Sequence, residues 1–278
     1  MKKIGITGSR GFLGCHLVNA LKSKIQIQEI DKELGFNLLE KKWWTNLSAT
    51  PDIIIHLAAI VPNGNSEDFN RNIEMTNSVI AYAKSFEVKK VVYFNTYVYG
   101  NAEYLPVDES HKVAAISDYH KSKIECENLL FEKLGIKKVI SLRLFNLYGV
   151  GQKEPFIIPH IFNCIRSNNK IDINDPSARR DFINVKDVVK LVEKIIDIDE
   201  ISGVFNVGTG HSVSMLQVAK LINNIFEEKY VIEIKNRKRK NEINDNYADI
   251  SKITTLTGWR PEIKFEDGLR EIKESLFH

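Results

Sequence analysis

The chain has 278 residues, 43% of them hydrophobic, which suffices for a sizeable core in one large domain or in a domain with an attached lobe. Its 39 basic and 36 acidic residues leave a formal charge of +3, so a whole-chain attraction to nucleic acid or membrane is excluded and any bound anion must be held locally. Cys15, Cys126 and Cys164 are odd in number and lack CxxC spacing, which argues against a disulfide framework or a thiolate metal site.

A reducing cytoplasm fits that cysteine usage. Lys2 and Lys3 precede a short apolar stretch that Arg10 interrupts, and no run approaches the roughly 18 apolar residues of a spanning helix. The expectation is a soluble, cytoplasmic, unprocessed protein.

In chain order the first expected strand is KKIGITG, followed at once by a helix over GCHLVNALKS and a second strand, IQIQEID. DIIIHLAA is the third apolar run. Phe69, Ile73, Thr76, Ile80 and Ala83 recur at steps of four and three, which predicts one face of a buried helix over about 67–86. VVYFNTYVYG reads as the next strand. A helix is expected to begin near Tyr119 and run to FEKLG, with Gly135 where a left-handed terminal residue is wanted, and KVISLRLFN starts a strand directly after it. This alternation predicts an α/β fold with a Rossmann-type, doubly wound parallel sheet.

After about residue 150, Pro155, Pro159 and Pro176 and the polar stretch RSNNKIDINDPSARR separate shorter elements, which reads as a smaller α/β lobe. Ser214 and Gln217 match a capping box that should open a helix over MLQVAKLINNIF. Residues 1–150, with 183–210 returning to them, are the expected Rossmann domain, and 151–182 with 211–278 form the smaller lobe.

GITGSRGFLG places Gly8, Gly11 and Gly14 at GxxGxxG spacing between a strand and a helix. A tight turn uses the first glycine, close approach of a pyrophosphate the second, and helix–strand packing the third, with the phosphates on the N–H groups of the helix start. A plain turn of small residues satisfies the same spacing. Asp31 adds weight to the nucleotide reading, because it lies 17 residues after Gly14, near where dinucleotide-binding units carry the carboxylate that bonds the adenosine ribose. A carboxylate there repels a 2'-phosphate, so NAD is favoured over NADP; a solvated loop aspartate beside Lys32 is the alternative.

Tyr119 and Lys123, in SDYHKSKIE, are four apart and share a helix face. An ammonium beside a phenol favours the phenolate, so the pair could move a proton. The same spacing is also common on exposed helices.

Taken together, TGSRGFLG, DIIIHLAA, VYG, YHKSK, RLFNLYG, RRDFINVKDVV, FNVGTG and GWRP, in that order, resemble the extended short-chain dehydrogenase/reductases, and in particular the nucleotide-sugar epimerases, dehydratases and 4-ketoreductases. The resemblance implies that Tyr119 is the acid/base on a sugar hydroxyl and that Lys123 holds the nicotinamide ribose and depresses the tyrosine pKa. It implies NAD held by Gly8, Arg10, Gly11, Phe12, Leu13 and Gly14, by Asp31, and by Leu57, Ala58 and Ala59. A Ser or Thr with two residues between it and VYG usually assists the tyrosine, but FNTYVYG has only Tyr97 between Thr96 and VYG, so Thr96 is favoured for its hydroxyl while strict counting reaches Asn95.

The partner implied is a nucleotide-diphosphate sugar, with Asn146 and Arg180 matching diphosphate contacts. Arg180 could instead bridge to Asp181 or Asp187. KNRKRK, residues 235–240, reads as a solvated basic loop, a nucleic-acid patch, or the family's phosphate site with Arg239 as anchor, Glu242 as companion and Arg237 as its substitute. No nucleic acid and no membrane is expected as partner, and relatives often form homodimers.

The seven histidines show no metal-ligand spacing and Gly-x-Ser-x-Gly is absent. His56 reads as a core histidine, and Val61, Pro62 and Asn63 as cleft residues, since ligands sit beyond the carboxyl ends of parallel strands. The expected reaction is hydride chemistry at sugar C4, as an NAD-dependent 4-epimerase or an NAD(P)H-dependent 4-keto-6-deoxysugar reductase; a non-catalytic dinucleotide sensor or scaffold is the reading from another class. Dehydration fits less well, because relatives that dehydrate carry an acidic pair where this chain has Tyr97.

Overall fold

Strands whose residues are apolar without alternation have to be covered on both faces, and the sheet of this protein obeys that demand. A computed structural model describes residues 2–62, 68–168, 170–235 and 243–277. The chain runs β1 (Lys3–Thr7), α1 (Phe12–Leu21), β2 (Gln26–Ile30), β3 (Ile53–His56), α2 (Asn70–Ser85), β4 (Lys90–Thr96), α3 (Asp118–Leu134) and β5 (Val139–Leu144). It leaves the sheet through β6 (Asn146–Tyr148), α4 (Ile157–Asn168), β7 (Lys170–Ile173), β8 (Arg179–Arg180) and β9 (Phe182–Asn184). After returning by α5 (Val185–Ile195) and β10 (Gly203–Val207), it ends in β11 (Val213–Ser214), α6 (Met215–Ile225), β12 (Val231–Ile234), α7 (Ser251–Thr257) and α8 (Phe265–Phe277).

Six parallel strands form the main sheet in the order β2-β1-β3-β4-β5-β10. Every residue of β3 and β5 is buried, whereas β2, an outer strand, has exposed and half-buried positions. Between β2 and β3 the chain makes only two short 3-10 turns, Lys32–Leu34 and Trp43–Asn46, and among the described residues no strand lies outside β2. Ser48 instead donates from its amide and hydroxyl to Gln28 Oε1.

One core packs α1 and α5 on the sheet through Leu13, Leu17, Val188, Leu191 and Val192, and another packs α2 and α3 on the other face through Val79, Ile80, Cys126 and Leu130. A third, centred on Phe162, Ile171, Val218, Ile222 and Leu269, joins α4, β7, α6 and α8. The side on which successive strands are added reverses between β1 and β3, whose adjacent carboxyl ends therefore open a crevice.

The helix expected over about 67–86 spans Asn70–Ser85. Thr76, Ile80 and Ala83 are buried on it and Ile73 is half-buried, but Phe69 precedes the helix and its ring meets Tyr119 edge-on at 5.5 Å. Gly135 departs from the left-handed form expected of it: with φ +81° and ψ 154° it leads the chain out extended after α3. The capping box of Ser214 and Gln217 forms as its spacing requires and opens α6.

Candidate active site

The turn joining β1 to α1 can be built only with glycine at its two ends. Gly8 has φ +69°, and a Cβ there would stand 2.8 Å from the Ala58 amide nitrogen; a Cβ on Gly14 would overlap the Gly8 carbonyl oxygen. Gly11 is the N-cap of α1, extended and without a side-chain cap, so no side chain satisfies the leading N–H groups and the helix start attracts an anion.

Behind this turn Thr7 Oγ1 accepts from the Leu57 and Ala58 amides at 3.2 Å each and donates to His56 Nδ1 at 2.8 Å. His56 is buried and neutral, pushed down to about 3 by burial and then by the Lys123 charge. Its Nε2 therefore carries the proton and donates to Thr76 Oγ1 at 3.2 Å. His56 is the core histidine its sequence suggested.

A cavity of about 530 Å³ opens at the carboxyl ends of β1, β3, β4 and β5. The glycine turn contributes Gly8, Gly11, Phe12, Leu13 and Gly14, and β3 leads into Leu57, Ala59 and Val61. From β4 and α3 come Asn95, Thr96, Tyr119 and Lys123, and from the chain beyond β5 come Asn146 and Arg180. One cleft thus gathers most of the residues singled out in the sequence.

Four of those residues stand outside the lining. Ala58 backs Gly8 instead of facing the cleft, Pro62 is exposed, and Arg10 and Asp31 sit together beside the turn. Asn63, Arg237, Arg239 and Glu242 lie outside the described residues. Asp31 Oδ2 accepts from the Arg10 amide and Oδ1 from the Glu33 amide, both at 3.1 Å, which fixes the carboxylate against the turn with acceptor capacity to spare. The uncapped helix start, the glycine turn and this carboxylate fit a dinucleotide.

Ser117 caps α3, accepting from the His120 amide, and the helix carries Tyr119 and Lys123 one turn apart. Lys123 is buried; its Nζ donates to the Phe94 carbonyl at 2.6 Å, lies 4.3 Å from the Tyr93 ring centroid, and burial pushes its pKa down to about 8. The expected depression of the tyrosine is not present in this state. Burial raises the Tyr119 phenol, Cys126 raises it a little further, and the lysine charge is spent on Phe94 and Tyr93.

Asn95 is committed elsewhere: its Nδ2 donates to Glu127 Oε2 at 2.9 Å, and its Oδ1 accepts from the Thr96 amide at 2.8 Å. Glu127 also receives Ser141 and the Arg143 guanidinium, and Arg143 donates to Tyr99 Oη at 2.8 Å. Burial acts to raise Glu127, but the Arg143 pair outweighs it and holds the carboxyl below its ordinary value. Tyr97 is buried, donating to the Gly100 carbonyl at 2.7 Å.

Arg180 bridges to neither carboxylate proposed from the sequence. Asp181 is taken by Thr209 and the Gly210 and Ala248 amides, and Asp187 by the Glu262 and Ile263 amides, while Arg180 Nη1 donates to the carbonyls of Arg179 and Ile243. Asn146 Nδ2 donates to the Asp181 carbonyl at 3.2 Å. Sequence reasoning missed Phe94, Phe145, Gln152 and Asp175, which also line the cleft. The strand-end rule could have found Phe94 and Phe145; nothing in the sequence pointed to Asp175. Among the described lining residues Asp175 is the only carboxylate.

A parallel sheet with a glycine-bounded turn at its switch point and a tyrosine–lysine pair on an adjoining helix defines an enzyme of the extended short-chain dehydrogenase/reductase class. The chain belongs to the NAD dependent epimerase/dehydratase family, whose model matches residues 4–208, and its cofactor is NAD. It is 26% identical to a putative UDP-glucose 4-epimerase of Methanocaldococcus jannaschii over 96% of both chains. It is 26% identical to the GDP-6-deoxy-D-mannose reductase of Pseudomonas aeruginosa, over 98% of this chain and 96% of the relative. In structure it resembles TunA, an NAD-dependent NDP-hexosamine 5,6-dehydratase of tunicamycin biosynthesis, with a TM-score of 0.89, 27% identity, and coverage of 99% of this chain and 97% of the other.

Proposed function

We propose that this enzyme is an NAD-dependent 4-epimerase of a nucleotide-diphosphate sugar. The observation that carries the reading is one cleft lined by the glycine turn, by Tyr119, Lys123 and Thr96, and by Asn146 and Arg180. Residues 1–150 with 183–210 hold NAD, and 151–182 with 211–278 hold the sugar nucleotide.

NAD, when bound, supplies a hydride acceptor and donor. Tyr119 takes the proton from the sugar 4-hydroxyl as the ketone forms and returns it when the ketone is reduced on its other face. For this the phenol has to fall from its raised value, and Lys123 can bring that about by turning its Nζ from the Phe94 carbonyl toward the nicotinamide ribose and Tyr119. Thr96 steadies the reacting oxygen; Asn95 does not compete, because its amide serves Glu127. Arg180 and Asn146 meet the diphosphate, for which a guanidinium is suited by its paired donors.

Elimination is the less supported chemistry, even with dehydratases among the similar proteins, since buried Tyr97 occupies the acidic-pair position and only Asp175 offers a carboxylate among the described lining residues. The similarity to a GDP-6-deoxy-D-mannose reductase keeps a second reading, reduction of a 4-keto-6-deoxy sugar nucleotide. A homodimer in the cytoplasm completes the proposal; the three cysteines are free, and no described helix is long and apolar enough to cross a membrane.

Identification of the nucleotide released on denaturing the purified protein separates the two readings. Stoichiometric NAD, with interconversion of C4 epimers in a panel of UDP-, GDP- and dTDP-sugars, supports the epimerase. Protein that comes off empty, binds added NADH or NADPH and reduces a 4-keto-6-deoxy sugar nucleotide overturns it in favour of the reductase.

A further inference from the structure

The glycine turn carries a cation, Arg10, whose amide lies beside Asp31; an arginine near that carboxylate position can accommodate the 2'-phosphate of NADP, while Asp31, just past the end of β2, is the residue type that selects NAD. These two signals oppose each other, and the structure shows what reconciles them. Glu29 lies two residues before Asp31 on β2 and so points to the same side of the sheet. Its Oε2 is buried, accepts no hydrogen bond among the described residues, and stands 3.3 Å from Arg10 Nη2. The Arg10 amide meanwhile donates to Asp31 Oδ2. Backbone and guanidinium of one residue are thereby held by two carboxylates, one on β2 and one just past its end.

We propose that Glu29 is a specificity-determining residue for the dinucleotide: it holds the Arg10 guanidinium against β2, away from a 2'-phosphate, and offsets its charge, so that the Asp31 carboxylate acts on the ribose unopposed. With Glu29 in place the guanidinium is paired and the net charge at the site is that of Asp31, which suits a free ribose 2'-hydroxyl. Without it, one carboxylate and a released guanidinium remain, and a 2'-phosphate gains a bidentate partner. The inference rests on the NAD family assignment alone and is independent of the sugar chemistry.

The test is the Kd of NADH and NADPH for the apo protein, read by quenching of intrinsic fluorescence at fixed ionic strength, in wild type, Glu29→Gln, Arg10→Gln and the double variant. Glu29→Gln should lower the NADPH Kd by about fivefold, the order of one screened charge interaction, with the NADH Kd within about twofold as evidence of an intact site. The gain should vanish in the double variant. An NADPH gain below about threefold overturns the proposal, and so does a gain that persists undiminished without Arg10, because the pair would then hold nothing. Glu29→Ser repeats the comparison if the glutamine variant fails to fold.

Discussion

Lys123 shows how a functional demand is written into one side chain at the expense of stability. An ammonium with almost no solvent contact is poorly solvated, and its pKa of about 8 means that the folded protein binds this proton less tightly than the unfolded chain, where the group titrates near 10.5. The unfolded state thus holds more protons between pH 8 and 10.5, and folding stability contributed by this residue rises across that window. Relative to Lys123→Met, the wild type should gain up to about 3 kcal/mol in unfolding free energy between pH 8 and 10.5, read from urea denaturation at a series of pH values. A difference that stays flat with pH would mean the lysine is not buried as a cation. Tyr119→Phe should keep the NAD Kd within about twofold and lower turnover by about 100-fold or more, measured by epimer interconversion. The pairing of Tyr119 with Lys123 could be read from spacing, but the partner of the lysine could not, because the Phe94 carbonyl comes from a strand distant in sequence and only tertiary packing brings it near.

The β1–turn–α1 element separates two jobs that the spacing of its glycines merges. Gly14 is needed so that α1 can close on the turn, since a Cβ there overlaps backbone that has nowhere to move, whereas a Cβ on Gly11 meets only the Gly8 carbonyl oxygen at 3.2 Å and otherwise faces the cleft. Gly14→Ala should therefore lower stability by about 1–3 kcal/mol by urea denaturation. Gly11→Ala should leave the denaturation midpoint nearly unchanged yet weaken NAD at least about tenfold, because the added methyl occupies the pyrophosphate approach. Equal stability losses in both would show that the turn is only a packing device. This element was legible because every constraint on it is local. The stretch from Asp31 to Pro51 was not, since short 3-10 turns have no hydrophobic period to read.

At the scale of the molecule, Glu127 and Arg143 tie α3 to β5 and, through Asn95 and Tyr99, to the end of β4 and the loop after it. Glu127→Gln leaves a guanidinium buried without its counter-charge and should cost about 3–5 kcal/mol in unfolding free energy, whereas replacing both partners by Leu and Met should cost less. The type of the main-sheet elements, and their succession along the chain from β1 to β5, followed from alternating apolar runs. The network was invisible, because a charge pair on two elements has no signature in either. Strand order carries a last consequence, for synthesis of the chain. Among the described residues β10 is the strand that covers the outer side of β5, yet residues 145–202 are made between them. At 5–20 residues per second that edge waits roughly 3–12 s on the ribosome with its N–H and C=O groups open, so during synthesis it is a second edge, beside β2, at which a nascent copy can pair with another chain.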